Sequence, residues 1–331
     1  MSGRIETNIT EETNEYYIYM YSKSYILYMV VLSGICLLGI TGNGLVIWFV
    51  AFRMKKTVNS VWFLSLAFAD FIFCLFLPLS ITYLALGYNW PFGTFMCKLR
   101  YLVLYLNLSA SVIQLTIISI DRCISVVFPV WCRNHRTVRL AVKVVLAIWI
   151  VCFLLNVSYF IFAHVSVHHT SSLVCFKDWS VHSVQVIIRF IVLFVIPFTI
   201  IIVCYTVIFM RIRKNHRTTS TKPFKVIAAV IISFFICWFP HHVFSIMDSY
   251  VSYTLYDNLR LVIFIGKCIS VTLAYSNSCV NPLLYVFIGQ HFKEKFWSAI
   301  KSAFERTFTE EANLTDPNRN TFVPDHAIRQ M

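Results

Sequence analysis

Six polar residues set inside long apolar segments mark where this chain could do chemistry: Asn43, Asp70, Asn107, Ser111, Asn277 and Asn281. Asp70, in LSLAFAD, has no basic neighbour in its own segment. A buried acid of that kind must be paired, protonated or bound to a cation. The amide and hydroxyl oxygens of the other five would form with it a cage of hard ligands for a small cation such as sodium, or a purely structural hydrogen-bond network. The two are compatible. Arg189 poses the opposite problem, since a guanidinium in an apolar segment needs an anion. Asp248 is the nearest acid by depth, and the terminal carboxylate of an inserted peptide is the alternative, its two oxygens matching the forked donors. Tyr105, His241 and Lys267 join Arg189 as candidate ligand contacts. His168–His169 and His241–His242 lack Cys or carboxylate partners at ligand spacing, and no cysteine spacing resembles a zinc site.

These residues need long apolar elements to hold them. The stretch Cys97–Arg122 contains no Gly and no Pro, and charge appears only near its ends. As a helix it measures roughly 37 Å, slightly more than a bilayer's hydrocarbon core. Asn107, Ser111, Ile118 and Arg122 follow at spacings of 4, 7 and 4, which puts them on one face looking into a bundle or a wet cavity. Composition agrees: 58% of residues are hydrophobic and 13% charged, against about 25% charged in soluble domains. The net charge of +13 could indicate nucleic acid, but the basic residues cluster at 53–56, 133–143 and 211–225, in loops after apolar segments one, three and five. That alternation is the positive-inside pattern, and it excludes a nucleic-acid reading.

Seven apolar segments are expected at about 24–52, 59–86, 94–127, 138–163, 181–212, 222–250 and 259–287. The fold class is therefore an all-α membrane protein, a seven-transmembrane bundle over 24–288 with its N-terminus outside the cell. Residues 1–23 form an acidic extracellular tail without the features of a removable signal peptide. Asn8 in Asn8-Ile9-Thr10 is a glycosylation acceptor there, while the sequons at Asn107, Asn156 and Asn313 fall in spans or on the cytoplasmic side. The tail's acidic tyrosines, Tyr16 and Tyr17 among them, suit either sulfation and capture of a cationic ligand or a disordered acidic segment. Residues 289–306 place Phe292, Phe296, Ala299 and Ile300 on one face, an amphipathic eighth helix for the inner leaflet. Residues 307–331 are a polar cytoplasmic tail.

Most of the 11 cysteines fall inside spans as small core residues. Cys97 and Cys175 both lie on the outer side, and a disulfide between them would tie the long 164–180 loop to the central helix. Pro197, Pro240 and Pro282 interrupt the fifth, sixth and seventh spans, each removing a backbone hydrogen bond and loosening the helix. Lys267, Arg100 and Lys177 belong to the outer half and add positive field there, or snorkel toward the membrane surface.

GNGLV at 42–46, LAFAD at 66–70, DRC at 121–123, Trp149, CWFP at 237–240 and NPLLY at 281–285 together resemble the fingerprint of rhodopsin-like G-protein-coupled receptors, in the right order over residues 24–300. WPFG at 90–93, ISIDRCISV at 118–126 and PVWCRNHRT at 129–137 resemble the chemoattractant group, which includes receptors for chemerin, formyl peptides and complement anaphylatoxins. KKTVNSVWFLSLAFADFIF and SNSCVNPLLYVFIGQHFK are similar above all to the chemerin receptors of that group. The resemblance implies a plasma-membrane receptor for an extracellular peptide or protein, coupled to an inhibitory-class G protein and to arrestin. It implies that Arg122 is held at rest by Asp121 and engages the G protein when freed. Trp238 is then the activation toggle, Tyr205 and Tyr285 close a network onto Arg122 beside Asn281-Pro282, and Asp70, Asn107 and Ser111 form a sodium site.

The chain departs from the formyl-peptide receptors, which carry an acid where Tyr105 stands and a second arginine where Gln185 stands. Of that charged trio Arg189 alone remains, which argues against recognition of formyl-methionine. No Cys follows Cys279, so the eighth helix has no palmitoylation site. A retinal photoreceptor would need a lysine at Tyr275, and a transporter would be expected to show repeats and paired broken helices; the sequence has neither. A non-signalling scavenger receptor usually lacks the Asp121–Arg122 pair.

Overall fold

A computed structural model describes residues 2–167, 173–177, 179–215, 222–250, 257–288 and 298. Side chains of residues 2–24, 177, 179–183, 215, 222–228, 230, 250, 257–261 and 283–288 lie outside that description. Asn8, Tyr16, Tyr17, Lys177 and Tyr285 are therefore not placed, nor is the amphipathic segment expected over 289–306.

Among the described residues, seven helices are long and apolar enough to cross a membrane. The first is α1 (Ser2–Phe52), whose membrane-crossing part is Tyr25–Phe52; the helix thus continues back through the polar segment assigned to the tail. The second is α2 (Val58–Ala85) and the third α3 (Gly93–Val127). A short α4 (Pro129–His135) follows, with Pro129 opening its first turn, where a missing N–H costs nothing. The fourth span is α5 (Val138–Phe162). The fifth consists of α6 (Trp179–Phe190), a π-helical turn (Ile191–Val195) and α7 (Ile196–Asn215). The sixth is α8 (Lys222–Tyr250) and the seventh α9 (Asp257–Ile288).

The third span is the central one: 72% of its most apolar window is buried, against 28–50% for the other six. The fourth shows the reverse, with Leu146, Ile150 and Leu154 about 60% exposed at four-residue spacing, a stripe for lipid. Close approach between first and second spans depends on Gly39, where a Cβ would collide with the Cys74 thiol. Small residues allow such contacts between helices in lipid, where packing rather than water exclusion drives association.

The 164–180 stretch adds a small sheet to the all-α bundle. It holds a two-stranded antiparallel hairpin, β1 (Ala163–Val167) and β2 (Leu173–Lys177), with Val165 opposite Cys175. The signal was present in the alternation of AHVSV and LVCFK, but the segment is too short to announce itself beside seven long helices. Cys175 is bonded to Cys97, with a Cα–Cα separation of 5.7 Å. The WPFG loop explains why the hairpin sits there. Fully buried Trp90 packs among Tyr83, Cys97, Ala163 and Cys175, and its backbone N–H donates to the Leu173 carbonyl at 2.7 Å. Its indole N–H donates to the Gly93 carbonyl at 2.8 Å, and Gly93 at φ 73° adopts a conformation that favours glycine.

The π turn was not expected either, although its cause was legible. Pro197 cannot donate to the carbonyl four residues back, and its ring crowds that carbonyl. The ladder widens just before it, so that Ile196 N–H donates to Ile191 O, five residues back. Arg189 lies just before this turn. Pro78 is a further proline inside a span, in α2.

Candidate functional site

The polar centre forms around Asp70, which is fully buried. Its two carboxylate oxygens accept from Ser278 Oγ and Asn281 Nδ2, both at 2.8 Å. Ser111 Oγ donates to Asn107 Oδ1 at 3.4 Å, and Asn107 Nδ2 donates to Ser278 Oγ at 3.3 Å. Asp70, Asn107 and Ser111 are thus brought together, with Ser278, which sequence reasoning missed, also joining Asn107 to Asp70. The available signal was its position three residues before Asn281, on the same helical face. Asn43 Nδ2 donates to the Ser278 and Gly39 carbonyls at 2.8 and 2.9 Å, tying the first span to the seventh.

Among the described residues no cation pairs with Asp70. The side-chain oxygens of Asn43, Asn277 and Asn281 are buried without partners. Carboxylate, amide and hydroxyl oxygens are the donor set of a hard cation, so the residues suit sodium better than a transition metal. No group of three His, Cys, Asp or Glu that could hold a metal occurs among the described residues.

Toward the outer side, Arg189 is 6% exposed. Its guanidinium lies 4.3 Å from the Tyr105 ring centroid and 5.8 Å from that of Tyr159, while those two rings stack at 3.9 Å. The guanidinium also meets the Tyr105 side chain in a hydrogen bond, yet its Nη2 has no partner. A cavity of about 190 Å³ beside it is lined by Asn156, Tyr159 and Gln185, among others. Tyr105, standing where formyl-peptide receptors have an acid, therefore supports the cation by its ring face.

Among the described residues Asp248, the internal candidate for Arg189, pairs with Lys267 instead. That pairing also removes Lys267 as a source of net positive field. Arg100 resembles Arg189 instead: its guanidinium is 5.4 Å from the Tyr101 centroid and 5.7 Å from those of Tyr83 and Trp90, and Nε donates to Ser80 Oγ at 2.8 Å. Below Arg189, His241 contacts the Trp238 ring edge-on at 5.6 Å, and Trp238 stacks on Phe234 at 6.0 Å. Trp238 Nε1 and His241 Nδ1 are buried without partners. A buried indole with no hydrogen bond is free to change rotamer without breaking one.

At the inner end the expected pairing of Asp121 with Arg122 is not found. Asp121 Oδ1 accepts from Arg136 Nε at 2.8 Å, and Oδ2 from Arg136 Nη2 at 2.9 Å. Arg122 Nη2 instead donates to Asn59 Oδ1, which also accepts from Arg136 Nη2 at 2.8 Å. Adjacent helical residues point about 100° apart, so Asp121 and Arg122 serve different neighbours. Tyr205 does not close a network on Arg122 here, since its hydroxyl is buried without a partner; the guanidinium has turned toward the second span. Buried Pro282 follows Asn281 in the seventh span.

Residues 42–285 match the family described as 7 transmembrane receptor (rhodopsin family). The chain is 42% identical over 304 residues to human (Homo sapiens) chemerin-like receptor 1, an alignment covering 86% of this chain and 80% of that one. It is 40% identical to the pig (Sus scrofa) chemerin-like receptor 1, with 89% and 86% covered. Human N-formyl peptide receptor 2 is 38% identical over 333 residues, 94% of this chain and 95% of the other.

Proposed function

Since this chain belongs to the rhodopsin family of seven-transmembrane receptors, we propose that it detects an extracellular peptide or protein chemoattractant of the chemerin type and signals through an inhibitory-class G protein. The family is one of receptors rather than enzymes. Relatives named for chemerin and for formyl peptides narrow the ligand to peptides, and Arg189 discriminates between them. It is a buried cation, supported by two aromatic rings, with an unsatisfied N–H and no acid paired with it among the described residues. That is an environment short of one carboxylate, and a peptide's C-terminus supplies it.

The remaining assignments follow from the same reading. The N-terminal tail faces outward, with Asn8 glycosylated and Tyr16 and Tyr17 open to sulfation. Arg122 engages the G protein, and Asp121, Trp238, Asn281, Pro282, Tyr205 and Tyr285 govern its release. Sodium at Asp70, Asn107 and Ser111 favours the resting receptor. Arrestin binds the active form, and the 289–306 segment lies on the inner leaflet. The test is suppression of cAMP in transfected cells challenged with chemerin, formyl-peptide and anaphylatoxin panels. A response to chemerin-type peptides with free C-termini supports the reading. Binding without cAMP suppression would leave a scavenger, and a response to formyl peptides alone would overturn the ligand class.

A further inference from the structure

Among the described residues Arg122 pairs with no acid. Asp121 is occupied by Arg136, and the sole acid in Lys222–Tyr250 is Asp248, at the outer end of the sixth span. What holds Arg122 is a neutral oxygen on another helix. Asn59 is the second residue of α2, placed by a capping box in which Thr57 and Ser60 satisfy each other's backbone N–H. Its Oδ1 accepts from Arg122 Nη2 and from Arg136 Nη2. Arg136 forks onto both oxygens of Asp121. Four side chains from the second span, the third span and the end of the α4 loop are thus tied through one amide oxygen.

We infer that Asn59 is the positioning residue of a resting latch, holding Arg122 sideways against the second span through an oxygen that it shares with Arg136. The inference rests on the reading of Arg122 as the coupling residue. In this arrangement Arg122 Nε is buried without a partner, so the guanidinium is incompletely satisfied where it lies. That makes the latch breakable, as a two-state element must be. The charge balance has the same consequence. Arg122 and Arg136 bring two positive charges and Asp121 one negative, leaving one positive charge that a neutral amide does not cancel. A carboxylate at position 59 would cancel it and tighten the hold. An apolar side chain would abolish the hold.

The test is ligand-free nucleotide exchange on added inhibitory-class G protein, using full-length receptor in membranes and normalised to receptor number. Asn59→Ala is expected to raise basal exchange, by about tenfold if loss of the shared bond falls wholly on the resting state. Asn59→Asp is expected to lower it. Opposite signs from two substitutions at one site distinguish a latch from simple loss of structure, which would lower both. Arg136→Ala, in a loop outside the spans, leaves the Arg122–Asn59 bond in place and removes the uncancelled positive charge, so it should lower exchange as Asn59→Asp does. Should Asn59→Ala fail to reach the membrane, Asn59→Leu, which keeps the side-chain volume without the oxygen, takes its place. Unchanged exchange in these variants, or shifts of one sign at position 59, overturns the latch. Arg122→Ala separates the premise: it should abolish exchange in every background, and if exchange persists, the coupling role of Arg122 fails first.

Discussion

The two ends of the bundle treat arginine in opposite ways. At the outer end Arg189 and Arg100 lie against tyrosine and tryptophan faces, with no acid in reach among the described residues. At the inner end Arg122 and Arg136 are held by oxygens, from Asn59 and from Asp121. An aromatic face stabilises a cation without using its in-plane N–H fork, whereas an oxygen acceptor consumes that fork. At the outer end Arg189 Nη2 is thus left without a partner, whereas at the inner end Arg122 and Arg136 already donate to Asn59 and Asp121. Lys267 is the outer exception, because Asp248 already neutralises it.

The sharpest way to break this comparison is at Arg189. If it receives a ligand's C-terminal carboxylate, Arg189→Ala should cost about 2–5 kcal/mol of binding, roughly 30- to 5,000-fold in affinity. Amidating the peptide should cost a similar amount, and the two together little more. Full additivity in a competition-binding cycle would mean that Arg189 serves something inside the protein.

Next in size is the disulfide, which ties the hairpin to the third span. Cys97→Ser or Cys175→Ser should cost ~2–5 kcal/mol of stability and show as lost surface expression or ligand binding. Because Trp90 holds the hairpin independently through the Leu173 carbonyl, a Trp90→Ala variant should weaken binding even with the bridge intact. Normal binding by the cysteine variants would remove the bridge from the account of the outer end.

The polar centre lies between the two ends. Sodium at Asp70 should weaken agonist affinity severalfold, on the scale of typical coupling energies of about 1–3 kcal/mol, and Asp70→Asn should erase that dependence. Ser278→Ala should blunt it, since Ser278 Oγ joins Asn107 to Asp70. Agonist affinity insensitive to sodium in the unsubstituted receptor would leave a hydrogen-bond network alone.

The smallest effect is expected at the outer exception. The Lys267–Asp248 pair is partly solvated, its side chains 45% and 27% exposed. Lys267→Ala should change stability by no more than about 1 kcal/mol, read as a small shift in thermal midpoint. A loss of ligand affinity matching that at Arg189 would place Lys267 in the ligand site and spoil the contrast.

Much of this protein was legible without coordinates because lipid is an unforgiving solvent. Every spanning segment must close its own backbone hydrogen bonds, so the seven helices and the buried polar residues could be read along the chain. Periodicity within one helix put Asn107, Ser111 and Arg122 on a common face, and the outer position of Cys97 and Cys175 made them candidates for the bridge that forms. Partner choice is a different kind of information. That Asp121 takes Arg136 rather than Arg122, that Asp248 takes Lys267 rather than Arg189, and that Ser278 stands between Asn107 and Asp70 depend on how far each helix is rotated and shifted against the next. A helix's own sequence specifies its face to within a turn, while a hydrogen bond is made or lost over less than 1 Å. Tertiary packing alone settles positions that finely, which is why Asp70, Asp121 and Asp248 were foreseeable and their partners were not.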